Sequence, residues 1–142
     1  AFFLNFVLQS IGVTAFVSNF MEGLNINPTW AMIAIIAFYL VLGMFMETLS
    51  LMIATTPIVV PVIIALGFDQ VWFGVLFMIL IEAALITPPI GVNLFVVQAV
   101  RGKGPFRDVV LGSLPFLIMM IVMMLFLLAF PQMALWLPSV FN

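Results

Sequence analysis

From Thr29 to Leu66 the chain runs through 38 residues with a single charged side chain, Glu47. A helix or strand at a water-facing surface needs a continuous polar face, and this run offers only scattered hydroxyls. Its solvent has to be hydrocarbon, where about 20 consecutive apolar residues make a crossing helix. Only helices and closed barrels satisfy the backbone there, and no alternating strand pattern is present, so the chain reads as an all-α integral membrane protein. The remaining sequence agrees. Its charges are Glu22, Glu47, Asp69, Glu82, Arg101, Lys103, Arg107 and Asp108, 6% of all residues against about a quarter in soluble domains.

Several functions are excluded by what is missing. There is no cysteine and no histidine, which removes disulfides, thiolate chemistry and the commonest metal ligand and general base. Intramembrane proteolysis would need a zinc ligand set or paired aspartates, but Asp69 and Asp108 fall in turns. The chain therefore does not read as an enzyme. It has no basic patch for nucleic acid. Its start, Ala1-Phe2-Phe3-Leu4, lacks the basic flank of a signal peptide and reads as the interior of a longer protein.

Turn residues divide the apolar sequence. Residues 1–20 predict a transmembrane helix with polar side chains stacked at Asn5 and Gln9 and at Ser10, Thr14 and Ser18. Residues 21–29, holding Gly23, Asn25, Asn27 and Pro28, predict an outer-face turn. Residues 30–66 are interrupted at Glu47-Thr48-Leu49-Ser50 and again at Thr55-Thr56-Pro57. Two limbs of about 16 residues would each be about 24 Å long, short of a ~30 Å core, which predicts a re-entrant hairpin; two ordinary spans joined by a short exposed turn are the alternative. After an outer-face turn at 67–71, residues 72–100 form one long apolar segment broken by Thr87-Pro88-Pro89-Ile90-Gly91, a discontinuous transmembrane helix. Every basic residue lies in 101–108, which the positive-inside rule puts in the cytoplasm. Residues 109–130 predict a last span and 131–142 a periplasmic tail.

The breaks carry the chemistry. Interrupting a helix inside a bilayer frees carbonyls at one half-helix end and N–H groups at the next start. Carbonyls joined by a hydroxyl or amide oxygen suit a sodium ion, and the N–H end suits a carboxylate. Candidate binding residues are therefore Glu47, Thr48 and Ser50 at the hairpin tip and Thr87, Pro88, Pro89, Gly91 and Asn93 at the break, with sodium expected near Thr48, Ser50, Thr87 and Asn93. The plainer alternative is a proline kink in which Thr87 bonds back to a carbonyl. Glu82, about one turn before the prolines, is either a hydrogen-bonded brace or a group that handles ions or protons.

Gly43-Met44-Phe45-Met46-Glu47, Thr56-Pro57-Ile58-Val59-Val60-Pro61, Leu66-Gly67-Phe68-Asp69-Gln70-Val71-Trp72-Phe73-Gly74-Val75, the stretch Glu82 to Phe95 and Pro131-Gln132-Met133-Ala134-Leu135-Trp136-Leu137-Pro138 follow one another in order. The series resembles the C-terminal part of the large membrane subunit of tripartite ATP-independent periplasmic (TRAP) transporters. That resemblance implies sodium symport of an organic anion such as a carboxylate or sialic acid by an elevator-type protein. It also implies a small membrane subunit, a periplasmic substrate-binding protein, no cofactor beyond the coupling sodium, and multi-pass placement in the bacterial inner membrane. On this view the chain is mostly the second of two inverted repeats, its hairpin tip near Met46 to Leu51 and Pro57 and Pro61 kinks in the second limb. Two rivals remain: an anion and sodium symporter of the same superfamily without a binding protein, and a noncatalytic membrane assembly subunit.

Overall fold

The computed structural model describes residues 27–141 together with Val7, Ser10 and Gly12. The helix expected over 1–20 and most of the turn after it lie outside the described residues. Six helices follow in order: α1 Pro28–Gly43, α2 Thr48–Ala65, α3 Gln70–Leu85, α4 Val92–Arg101, α5 Phe106–Ala129 and α6 Gln132–Phe141, with no strand among the described residues.

Each start and stop has a local cause. Asn27 accepts from the Thr29 N–H at 2.9 Å with Pro28 beside it at the first helical position, so α1 opens on a side-chain cap and a residue that needs no N–H partner. Pro57 and Pro61 lie inside α2 and do not end it. Gly67, at φ +83°, then stops the helix, as its own N–H reaches Ile64 O and the Phe68 N–H reaches Ile63 O, the paired bonds of a Schellman turn. Asp69 caps α3 immediately afterwards, accepting from Val71 N at 2.8 Å and Trp72 N at 3.0 Å.

α3 is the hub. Helices α1, α2, α4, α5 and α6 all pack on it, and it contributes Trp72, Phe73, Leu76, Phe77, Leu80 and Ile81 to the core. Tyr39 of α1 meets Phe77 edge-on with centroids 4.7 Å apart, a favoured geometry for ring quadrupoles. Among the described residues no charged side chain is buried, and the core takes in the Tyr39 hydroxyl and the Trp72 indole N–H.

At the far end of α3, Trp72 Nε1 donates to the Leu127 carbonyl at 2.9 Å. The helical partner of that carbonyl would be the N–H four residues on, but position 131 is proline and has none. Trp72→Phe therefore strips a buried carbonyl of its donor, at a cost of about 1–3 kcal/mol. A lower melting temperature of the full-length protein in detergent is the expected result, and an unchanged one would show the bond to be idle.

The lengths refine the membrane reading. α1, with 16 residues, is about 24 Å long and falls short of a crossing. α2, with 18 residues, is about 27 Å long and reaches the range of spanning helices. The expected limb of about 16 residues is thus two residues too short for α2. By length and composition α2 and the 24-residue α5 qualify as membrane spans. Residues 132–141, expected as part of a tail, are helical and pack on α3 and α5.

Candidate functional site

The hairpin tip is a four-residue connection. The Met44 N–H reaches back to Val41 O and those of Phe45 and Met46 to Leu42 O, after which the chain leaves the turn. Glu47 is extended, at φ −72° and ψ 145°, and turns its carboxylate onto the start of α2. One oxygen accepts from Leu49 N at 2.6 Å; the other accepts from Ser50 N at 3.0 Å and from Ser50 Oγ at 2.8 Å. Both oxygens are thus engaged with the first turn, and the positive end of α2 already holds an anion of its own. Thr48 is half-buried and its hydroxyl makes no hydrogen bond among the described residues.

At the second break α3 ends on Leu85. Ile86 N and Thr87 N bond to Ala83 O and Ala84 O, and Thr87 Oγ1 donates to Ala83 O at 2.7 Å. That last bond is the one the plainer kink alternative calls for, yet the Thr87 oxygen keeps its lone pairs for a second contact. The Pro88-Pro89 peptide is cis. Gly91 follows in the left-handed region at φ +41° and ψ 88°, and α4 begins at Val92 with no side-chain cap. The Leu94 N–H is taken by Gly91 O at 2.8 Å, while those of Val92 and Asn93 have no partner among the described residues.

The carbonyls on this turn converge. A Cβ on Gly91 would lie 2.9 Å from Thr87 O and 3.0 Å from Leu85 O. Two backbone oxygens thus crowd the point where a Gly91 side chain would begin, together with Leu94 Cδ1 at 3.0 Å, beside two N–H groups with no partner among the described residues. Such a turn offers hard oxygen ligands on one side and an anion-binding helix start on the other. No cluster of three or more carboxylate, histidine or cysteine side chains exists among the described residues. A monovalent cation asks only for neutral oxygens.

Packing brings the two breaks to one level. A Cβ on Gly43, the last residue of α1, would lie 2.5 Å from Ala84 Cβ, and Leu51 Cδ2 from the start of α2 is 3.7 Å away. The α1 end of the tip therefore rests against α3 three residues before Thr87, with Leu51 of α2 beside that contact. No hydrogen bond joins the Glu47 and Ser50 group to the Thr87 and Asn93 group. Pro88 is half-buried, and Pro89 and Asn93 are exposed.

Glu82 does not join them. It lies two residues before Ala84, about 200° around the helix, and so points away from the tip. Its carboxylate is exposed and makes no hydrogen bond among the described residues, which supply no partner for a brace. Gly43 and Ala84 were not among the expected site residues. Their signal was small size at an apolar helix end, a pattern that permits close approach between membrane helices.

Residues 1–133 match the family described as tripartite ATP-independent periplasmic transporter, DctM component. Similar proteins include the sialic acid TRAP transporter large permease protein SiaM of Vibrio cholerae, 37% identical over 115 residues, which covers 81% of this chain and 27% of that protein. The C4-dicarboxylate TRAP transporter large permease protein DctM of the same organism is 32% identical over 139 residues, 98% of this chain and 30% of the relative. The ectoine TRAP transporter large permease protein TeaC of Halomonas elongata is 35% identical over 120 residues, 82% of this chain and 28% of the relative. The chain spans about three tenths of the length of the relatives it matches.

Proposed function

This chain belongs to the DctM-component family of TRAP transporter large permease proteins, and we propose that it forms the ion- and anion-handling part of a permease that takes up an organic anion by sodium symport. Its family are transporter permeases and not enzymes. The observation that carries the proposal is the turn at Gly91, where the Leu85 and Thr87 carbonyls converge beside the uncapped start of α4.

In this reading sodium binds the carbonyl side of the turn, with the Thr87 hydroxyl and the Asn93 side chain as further oxygen donors. The carboxylate of the substrate takes the free N–H groups of α4, helped by that dipole end and the nearby cation. The start of α2 is the poorer place for it, because Glu47 already fills that role. Sialic acid, C4-dicarboxylates and ectoine, for which the relatives are named, all carry a carboxylate; which compound this protein takes is set by groups beyond the turn.

Filling the site with sodium and a carboxylate neutralises both ends of the break and draws the Glu47 to Ser50 tip onto it. The loaded hairpin and broken helix then move as one body past a scaffold, the elevator motion. The rest of the large subunit, a small membrane subunit and a periplasmic binding protein complete the machine in the bacterial inner membrane.

Thr87→Val and Asn93→Leu, each in the full-length protein, remove one proposed oxygen donor. Each is expected to raise the sodium concentration for half-maximal uptake by about tenfold, the equivalent of one charge-assisted contact of about 1.5 kcal/mol, at an unchanged amount of protein in the membrane. If both variants keep the sodium dependence of the parent, the turn is a packing device and the site lies elsewhere.

A further inference from the structure

The helix with most neighbours keeps one stripe open. Val71, Gly74, Val75, Met78 and Glu82 recur at i, i+3, i+4, i+7 and i+11 along α3, so they share one face. Val71 and Met78 are 49% exposed and Val75 38%, Glu82 is exposed, and a Cβ on Gly74 would meet nothing within 4 Å. The open face of α5 is different in kind. Phe116, Met119, Val122 and Phe126 lie bare there without a charged neighbour, as suits lipid.

A carboxylate on an apolar helix cannot face lipid tails at little cost. Among the described residues no basic side chain is placed to neutralise it, since Arg101, Lys103 and Arg107 all lie at or beyond the end of α4 and Arg101 is bound to Asp108 at 3.0 Å. The gap at Gly74, about two turns away, leaves backbone open to a close-packed neighbour. The chain covers about three tenths of its relatives' length, so most of such a protein is still to be packed against it.

We propose that this stripe is a helix-docking seam, occupied by a transmembrane helix from the remainder of the same polypeptide that sets its backbone against Gly74 and offers a hydrogen-bond donor to Glu82. The seam is structural and independent of the sodium site, on the far side of α3 from the tip.

A nitroxide label at Met78→Cys in the full-length protein, in lipid nanodiscs, tests it through collision with oxygen, which concentrates in lipid, and with a nickel chelate, which stays in water. Low accessibility to both, unchanged when labelled protein is diluted with unlabelled protein, is the expected result. High oxygen access would put the stripe against lipid, and high nickel access against a water-filled pathway. Spin coupling lost on dilution would make the occupant a second copy, and protection that needs co-expression of another subunit would make it that subunit. Each of these four overturns the proposal. Independently of any label, Gly74→Leu is expected to lower the yield of monodisperse full-length protein several-fold, and Glu82→Leu to do so more than Glu82→Gln. Parental yields for Gly74→Leu and Glu82→Leu would also overturn it.

Discussion

Gly91→Ala, introduced into the full-length protein, is expected to cut sodium-stimulated uptake by at least about tenfold, and Gly91→Val by little more. The reason both should fail is that the first side-chain atom is already the offender. Its Cβ would sit 2.9 Å from Thr87 O and 3.0 Å from Leu85 O, with Leu94 Cδ1 also at 3.0 Å. The two carbonyls belong to a turn fixed by hydrogen bonds to Ala83 and Ala84, so they cannot swing aside as the leucine can. The backbone is at φ +41° as well, where a non-glycine residue costs about 1–2 kcal/mol before any contact is counted. Together these exceed the 1.4 kcal/mol that corresponds to tenfold in an equilibrium constant. In the proposed transporter the displaced carbonyls are sodium ligands, so the loss should fall on sodium affinity, with membrane abundance close to that of the parent. A Gly91→Ala variant with parental sodium half-saturation and parental maximal rate would remove the turn from the ion site.

Several helix ends were legible in the sequence, for reasons that can be named. The junction Leu66-Gly67-Phe68-Asp69 holds a glycine that can take positive φ and an aspartate able to cap two N–H groups, and both do so. Thr87-Pro88-Pro89-Ile90-Gly91 withdraws two donors and adds a flexible residue, so no helix continues through it. The first of the hairpin's two interruptions was harder. Thr56-Pro57 is the better helix start by residue type, yet α2 begins at Thr48 and runs through both prolines. Each proline costs one backbone bond, to Ile53 O and Pro57 O respectively, whereas a full break would strip several groups at once where water is scarce. Glutamate is an uncommon cap, but the side chain of Glu47 is long enough to reach both Leu49 N and Ser50 N.

What stayed hidden was direction. Apart from Gln70 and Glu82, α3 is apolar around its whole circumference, so its sequence reveals little of which residues face α1 and which face outward. Glu82 lies close to Thr87 along the chain, yet the structure turns it to the opposite side from Ala84. The convergence of the Leu85 and Thr87 carbonyls was hidden too, because it depends on backbone angles that residue types constrain only loosely. The contact between tip and break was hidden for a third reason. It is made by the smallest residues, whose contribution is the absence of atoms.

That contact yields the other large effect. Gly43→Ala would ordinarily stabilise a helix end slightly, since alanine is favoured over glycine by about 1 kcal/mol in helix interiors. Here the added Cβ would lie 2.5 Å from Ala84 Cβ, closer than two carbons can come. α1 must lift off α3, and overpacking of this kind costs about 1–3 kcal/mol. The expected result is a lower melting temperature of the full-length protein together with a loss of uptake, because the tip is carried away from the broken helix. Ala84→Gly alone should cost little more than its helix propensity. Combined with Gly43→Ala it exchanges the two residues across the interface and vacates the very atom that is struck. The double variant should then recover most of the stability and uptake lost by Gly43→Ala, giving a favourable coupling of at least about 1 kcal/mol in a double-mutant cycle. A merely additive cycle would mean that tip and break do not touch in the working protein, and with that the idea of a site closed by the hairpin would fall.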